Sequence, residues 1–428
     1  MRSRRREDMI RISPARFQAF LLAIICCSGF SFLMPLRIYL ICLFLGFTIF
    51  QNLEGSNMHL ARQPLMYALL AFICVILAGA VNSYDRGETL KYAITFFAGA
   101  CMVFLRNSDN FYSYSVEYTE IGCRCVAISI CIQIVFPTIY RDHLNFLIRG
   151  GAGAVSRLNN ELSQHIYSGI VGEKGEAAFL MVLAIVLLLS RCTYTKKIEK
   201  KDFKWLIIYL VALILPAKRM LFAVGILLIM LYIVFWTKGS KKVIALGSFG
   251  ILGILGFISM MVIPSLNTLL NRFTSFEGDD TANGRIYLWA HALRMFRERP
   301  FLGYGYGSYN KYASNQGVIL TKSRVWESHA HSIYYQMLGE IGIIGLSVFI
   351  LLNLTAIAMA IYLYKRRNRL SRRGCGYLFI GINIVVFVLV YGLTGNIIYY
   401  TNQIMVYLWG LGLLAYAYKR GFIAEVEK

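Results

Sequence analysis

Arginine and histidine side chains stand at the borders of several apolar segments of this chain. Lys218 and Arg219 separate two apolar runs, Arg285 opens an amphipathic stretch, and His329 and His331 precede a long apolar run. A guanidinium keeps its charge and presents a fork of donors, so two or three arginines facing one cavity suit a diphosphate. An imidazole is the side chain whose ordinary pKa best suits proton removal near neutral pH. These residues therefore indicate phosphate binding beside a general base.

Each of these residues also has a simpler interpretation. Arg219 is compatible with a membrane-interface anchor, Arg285 with an exposed charge on a surface helix, and His331 with a polar residue at a helix start. The sequence contains no Gly-x-x-x-x-Gly-Lys-Ser/Thr loop, no His-Glu-x-x-His motif and no Gly-x-Ser-x-Gly motif. We therefore expect chemistry without a metal or a cofactor, or no chemistry.

The amino-acid composition indicates what kind of structural elements position these side chains. Of the 428 residues, 57% are apolar and 15% are charged, whereas soluble domains have about 45–50% apolar and about 25% charged residues. These values exclude a soluble enzyme, a disordered chain and a fibrous repeat. The sequence predicts an all-α, polytopic membrane protein, because helices in a bilayer are apolar on both lipid-facing and buried surfaces.

Twelve apolar runs are long enough, or nearly long enough, to span about 30 Å of hydrocarbon. We expect them to form one membrane domain over residues 1–428. The runs cover residues 17–34, 36–50, 64–83, 90–105, 119–140, 176–190, 204–216, 218–236, 243–264, 341–364, 376–392 and 398–418.

The net charge of +22 is concentrated in alternate loops. With both termini in the cytoplasm, the predicted inner segments hold 26 Lys and Arg residues when Lys204 at a helix edge is counted with them, and the short outer loops hold about nine. This bias follows the positive-inside rule, so the charge indicates topology and not nucleic-acid binding. The ten cysteines fall mostly within apolar runs, where we expect small apolar filler and no disulfide framework.

Two predicted outer loops, 141–175 and 265–335, are too long to be simple connections. The second contains an expected amphipathic helix over residues 284–299, which Pro300 ends. Its apolar residues recur at helical spacing and are Ile286, Trp289, Leu293 and Phe296.

Three stretches in the second half resemble the O-antigen polymerase and ligase superfamily. They are Asn283-Gly-Arg-Ile-Tyr-Leu-Trp289, Pro300-Phe-Leu-Gly-Tyr-Gly-Tyr-Gly-Ser-Tyr309 and His331-Ser-Ile-Tyr-Tyr-Gln-Met-Leu-Gly-Glu-Ile-Gly-Ile-Ile-Gly345. The pair Lys218-Arg219 resembles a basic element that the family carries before a later span. Ser332 departs from the pattern, because Asn is common there. The resemblance covers residues 216–345, about a third of the chain.

The resemblance implies a multispanning glycosyltransferase in a bacterial cytoplasmic (inner) membrane. Its donor would be a glycan on undecaprenyl diphosphate, presented at the outer face, and its acceptor a saccharide or a lipid core. Arg219 and Arg285, with Lys218 beside them, would bind the diphosphate, and His331 would be the general base. The implied reaction inverts the anomeric carbon and uses no metal. Membrane lipids surround such a protein, and a chain-length regulator and a flippase are candidate partner proteins.

Further residues are weaker candidates for the same cavity. Gly303, Gly305 and Gly307 are expected to permit unusual backbone angles. Arg124, inside the fifth run, is a candidate for an internal ion pair. The expected cavity-lining residues are His329, Tyr306, Glu340, Arg157, Lys174, Arg149 and Glu176.

Three functions remain open at this stage. A polymerase would join lipid-linked repeat units, and Gly172-Glu-Lys-Gly-Glu-Ala-Ala178 resembles capsule-type polymerases. A ligase would pass a finished chain to another acceptor by the same donor chemistry. A carrier or flippase of the lipid-linked sugar would also suit twelve spans, although transporters place polar residues near the midplane of inverted halves.

Overall fold

The protein is an all-α membrane protein, as predicted. The computed structural model describes residues 13–28, 31–54, 63–105, 108–144, 154–195, 199–262, 282–315 and 329–422. These ranges contain sixteen α-helices. The first eight are α1 (Pro14–Cys26), α2 (Arg37–Glu54), α3 (Pro64–Val81), α4 (Arg86–Phe104), α5 (Asp109–Val135), α6 (Pro137–Asp142), α7 (Ala154–Ser163) and α8 (Lys174–Thr195). The others are α9 (Lys200–Ile214), α10 (Arg219–Trp236), α11 (Ser240–Val262), α12 (Ala282–Glu298), α13 (Tyr309–Asn315), α14 (Ile333–Lys365), α15 (Arg372–Tyr391) and α16 (Thr401–Arg420).

Each of the twelve predicted apolar runs overlaps an α-helix, and the fifth, 119–140, overlaps both α5 and α6. By length and composition, α3, α5, α8, α10, α14 and α15 can cross a membrane, and α1 and α2 are shorter apolar helices. The first run was predicted too long. Its helix ends at Cys26, and Ser31–Leu36 forms a 3-10 turn. This turn contains Pro35, which has no N–H to continue an α-helix.

Helix α8 is the centre of the helix bundle. Of its apolar window 89% is buried, against 39–67% for the other five long spans. It packs against α5, α9, α10 and α15. Outer helices expose large apolar side chains such as Leu70, Ile128 and Ile254, as expected for surfaces that face lipid.

One end of the bundle, called the basic end here, contains an ion-pair network. Arg124 is 2.6 Å from Glu120, which confirms the predicted internal pair. Arg191 contacts both Glu120, at 3.0 Å, and Asp202, at 2.6 Å. A cavity of about 420 Å³ adjoins the network, and the pair Arg373–Asp109 joins α15 to α5 there.

The opposite end, called the site end, is made of turns that bind one another. The turn after α3 contacts the turn at Gly303–Gly307, called the Gly-rich turn here, because the Tyr84 amide donates to the Tyr304 carbonyl at 3.0 Å. The start of α14 contacts the turn after α15, because the Ile333 amide donates to the Gly392 carbonyl at 2.9 Å. The expected active-site residues that the structure describes lie at this end.

The predicted amphipathic helix is α12, and it ends just before Pro300. It packs against α14 through Leu288, Ala292 and Met295, which are buried. The four residues at helical spacing pack only in part: Trp289 stacks on Tyr335 of α14 with ring centroids 5.1 Å apart, Leu293 and Phe296 are partly buried, and Ile286 is 53% exposed. In a membrane protein an apolar stripe can face lipid, so helical spacing alone does not identify the packed face.

Candidate functional site

The segment that leads into α14 carries the two candidate histidines. His331 has φ +51°, in the left-handed region that costs a non-glycine residue about 1 kcal/mol or more. The helix N-cap is Ser332, so His331 is not the cap residue. Both histidines are partly exposed, and their charges interact. The backbone therefore holds His331 in a strained position at the site end.

A chain of hydrogen bonds orients the His329 ring. The Gln336 side-chain oxygen accepts from the Ala330 amide at 3.2 Å, so its Nε2 is the donor. That Nε2 donates to Glu340 at 3.1 Å and lies 3.3 Å from Nδ1 of His329. Nδ1 thus accepts, and the neutral ring carries its proton on Nε2. Burial of the ring lowers the pKa of His329 to about 4, with smaller contributions from His331 and Lys91.

Glu340 binds the backbone of the Gly-rich turn. It is fully buried, and its carboxylate accepts from the backbone amides of Gly307 at 2.7 Å and Tyr309 at 2.9 Å. The prediction of unusual angles is confirmed, since Gly303, Gly305 and Gly307 have φ of +61°, +93° and +85°. A Cβ on Gly303 would lie 2.4 Å from the Glu340 carbonyl.

Tyr306 supports this turn from inside the protein. It has no exposed surface, its hydroxyl donates to the Ile398 carbonyl at 2.6 Å, and its ring stacks on Tyr399 with centroids 4.8 Å apart. Tyr306 therefore joins the Gly-rich turn to the turn after α15, residues 392–400, called the 392–400 turn here. Neither Tyr306 nor Glu340 offers surface to a substrate.

Arg285 extends from α12 to the 392–400 turn. Its Nη1 donates to the Thr394 carbonyl at 3.3 Å, and its charge lies near Tyr391. Its Nε is buried and has no hydrogen-bond partner among the described residues. The arginine thus shares this turn with the His329–His331 segment, and one of its donors has no partner among the described residues.

Lys218 and Arg219 begin α10 at the same end of the bundle and are half-buried. They follow Ala217, which has φ +54°. Helix α10 packs against α15, the helix that leads into the 392–400 turn. Among the described contacts, none joins Arg219 directly to His331 or Arg285.

The first long loop contributes one end of α8. Lys174 is its first residue and is half-buried. Glu176, one turn later, is 2% exposed. The side chain of Arg157 and the whole of Arg149 lie outside the described residues.

Three groups of this end were not identified from the sequence. Arg37 begins α2, is 7% exposed, donates through Nε to the Ser28 carbonyl at 2.8 Å, and faces Glu176. Asn402 and Gln403 donate to the Glu176 carboxylate at 2.8 and 3.1 Å. Arg37 could have been identified from the sequence, because it lies within a predicted span, where a charged residue usually has a partner or a function. Nothing in the sequence distinguishes Asn402 and Gln403 from other polar residues.

His291 on α12 is a further buried histidine that the sequence did not single out. It is 4% exposed, and its ring packs edge-on against Tyr309 at 5.0 Å. Burial lowers the pKa of His291 from 6.5 to about 4. No group of three His, Cys, Asp or Glu residues suited to a metal ion occurs in the described ranges.

Acidification is expected to destabilise the fold through His291. An unfolded chain takes up the proton near pH 6.5 but the folded chain only near pH 4, so stability present above pH 6.5 is lost as the pH falls. Linkage gives a loss of about 1–2 kcal/mol between pH 6.5 and 5. Thermal unfolding in detergent at both pH values measures it. His291→Asn should reduce the loss, and an unchanged loss in that variant would contradict the assignment.

Residues 205–350 match the family model described as O-antigen ligase. The match covers about a third of the 428 residues, includes Arg219, Arg285 and His331, and confirms the resemblance to the O-antigen polymerase and ligase superfamily. No curated protein shows a significant match to the chain. Helix α8 and the 392–400 turn lie outside the matched residues.

Proposed function

From the match to the O-antigen ligase family, we propose that the protein is a glycosyltransferase that uses a glycan on undecaprenyl diphosphate. The observation that carries the proposal is the shared contact of two elements with one turn. Arg285 binds this turn at Thr394, and the His331 segment binds it at Gly392. The guanidinium of Arg285, for the leaving group, and the imidazole of His331, for the acceptor, therefore lie at the same end of the bundle.

The two arginines stabilise the leaving group in this proposal. Negative charge grows on the diphosphate as the anomeric bond breaks, so preplaced guanidinium groups favour the transition state over the ground state. Arg285 has a buried Nε without a partner among the described residues, and Arg219 lies at the start of α10 at the same end. Lys218 adds a further positive charge.

His331 acts as the general base. It takes the proton of an acceptor hydroxyl while that oxygen attacks the anomeric carbon. The carbon–oxygen bond to the diphosphate breaks, and its electron pair leaves with the lipid, so the configuration inverts. His329 suits this role less well, because its Nδ1 accepts from Gln336 and its lowered pKa makes it a weak base.

A polymerase that joins repeat units of a surface polysaccharide, of O-antigen or capsule type, is the specific function we propose. Its support is the likeness of residues 172–178 to capsule-type polymerases. A ligase is the second candidate, favoured by the description of the matched family. Reconstitution with a lipid-diphosphate oligosaccharide separates the functions: a ladder of products indicates a polymerase and a single transfer to another acceptor a ligase. Movement across the bilayer without bond formation would indicate a carrier.

The proposed location is the bacterial cytoplasmic membrane, with both termini in the cytoplasm and the site end outside. The basic end contains Arg191 and Arg373, and basic residues favour the cytoplasmic side. Cysteine labelling distinguishes the sides: a cysteine placed at exposed Leu393 should react with an impermeant reagent in intact spheroplasts, and one at exposed Arg366 only after lysis. The reverse pattern would contradict this orientation.

Glycan transfer by the purified protein is expected to continue in a chelator. The reason is that arginine side chains supply the charge that stabilises the diphosphate in this proposal. Product formation with and without EDTA, followed by gel electrophoresis, measures the effect. A rate that falls to background in EDTA and returns with Mg²⁺ would overturn the arginine-only account.

A further inference from the structure

The segment 394–403, which contains the end of the 392–400 turn and the start of α16, holds an unusual set of polar atoms. Five buried side-chain oxygens on it have no hydrogen-bond partner among the described residues: the hydroxyls of Thr394 and Tyr399 and the amide oxygens Asn396 Oδ1, Asn402 Oδ1 and Gln403 Oε1. Asn396, Asn402 and Gln403 are at most 5% exposed. Buried polar groups are normally paired, so five unpartnered oxygens within ten residues point to a ligand that forms hydrogen bonds with them.

The orientation of the two amides follows from Glu176. Nδ2 of Asn402 and Nε2 of Gln403 donate to its carboxylate at 2.8 and 3.1 Å. A carboxylate accepts only from the nitrogen side of an amide, so the oxygens Oδ1 and Oε1 point away from it. Glu176 thus acts as a positioning residue that fixes on which side of each amide the oxygen lies.

These acceptors adjoin the proposed catalytic groups. The Thr394 carbonyl binds Arg285 at 3.3 Å. The His329 ring lies 5.8 Å from the ring of Tyr400, which is 38% exposed. Segment 394–403 therefore lies beside Arg285, which is proposed to bind the diphosphate, and beside His329, two residues before the proposed base.

We propose that segment 394–403 is a saccharide-binding subsite, an inference that rests on the proposed glycosyltransferase function. Sugar hydroxyls are donors and match neutral acceptor oxygens. A phosphate would bring only acceptor oxygens to the three amide oxygens, and a metal cation would lie beside the positive charges of Arg285 and Arg37. The segment lies outside the matched residues 205–350, so sugar choice and diphosphate chemistry belong to different parts of the chain.

The subsite is tested with Thr394→Val and Asn396→Leu in the full-length protein in nanodiscs. Three probes are compared by calorimetry: undecaprenyl diphosphate, the glycan-linked lipid isolated from cells that make it, and the free glycan released by mild acid. Each variant should weaken binding of both glycan probes by about 3–10-fold, the range for one neutral hydrogen bond. The Kd of undecaprenyl diphosphate should not change.

Matched controls make the same chemical changes elsewhere. Thr193→Val removes a half-buried hydroxyl near the basic end, and Asn383→Leu removes a buried amide from α15; both should bind all three probes normally. Unfolding midpoints identify a variant that has lost its fold. Equal weakening of undecaprenyl diphosphate, or no weakening of the glycan probes, would overturn the subsite.

Two sources of the sugar are separated by competition. Free glycan that still binds when undecaprenyl diphosphate saturates the protein occupies the acceptor side, and glycan that is displaced belongs to the donor. If undecaprenyl diphosphate does not bind the unmodified protein, the proposed function is wrong. The subsite is still tested in that case, because Thr394→Val should weaken binding of the free glycan.

Discussion

His331→Ala is expected to lower glycan transfer by about 10²–10⁴-fold, the usual contribution of a general base. The variant should insert and fold normally, because His331 is partly exposed and alanine removes only the ring. The measurement is the initial rate of polymer formation with a saturating lipid-linked donor. The Kd of undecaprenyl diphosphate should stay the same, since the base acts on the acceptor hydroxyl.

His329→Gln and His143→Ala are the controls for this prediction. His143 is exposed at the end of α6, in the other long loop, so its loss should leave the rate unchanged. His329→Gln removes a ring with a pKa of about 4, so the rate above pH 6 should keep its dependence on pH. If His331→Ala makes polymer at the normal rate, or if His329→Gln alone abolishes it, the base is wrongly assigned.

Arg285→Lys and Arg219→Lys are each expected to lower turnover by about 10²–10³-fold, the cost of losing one preplaced donor to a developing charge. Lysine retains the positive charge but lacks the planar fork, so two-point contact with the diphosphate is lost. Single-turnover rates with the lipid-linked donor measure the chemical step. The loss should appear in this rate more than in donor binding, because the charge grows as the bond breaks.

Arg294→Lys is the matched control, because Arg294 lies on the same helix as Arg285 and forms an exposed pair with Glu298 at 3.2 Å. It should retain normal activity, as exposed pairs contribute about 0–1 kcal/mol. Normal activity in Arg219→Lys would return Arg219 to the role of an interface anchor. Normal activity in Arg285→Lys would show that the guanidinium of Arg285 does not stabilise the leaving group.

The helices were predictable because bilayer length and hydropathy leave few alternatives. The apolar run 218–236, for example, became α10 (Arg219–Trp236) almost to the residue. The amphipathic helix ended before Pro300 for the local reason that proline cannot continue a helix. Such helix bounds depend on residues that are close in sequence, so they can be predicted without a structure.

The packed face of α12 and the polar turn after α15 were not predictable in this way. Helical spacing placed Ile286 and Trp289 on one apolar face, yet Trp289 stacks on Tyr335 of α14 whereas Ile286 is 53% exposed, because lipid and protein interior accept the same apolar side chains. Asn402 and Gln403 looked like ordinary polar residues near a helix start. Their partner, Glu176, is more than two hundred residues away in sequence.

The sequence by itself determined the class of protein, the order of its spans and the residue types able to bind a diphosphate and remove a proton. These properties follow from composition and from motifs whose members are local. Only the tertiary structure decided that Arg285 and the His331 segment meet at one turn, and that Glu340 and Tyr306 are buried supports of the site. Those contacts join helices distant in sequence, and their geometry depends on how the whole bundle packs.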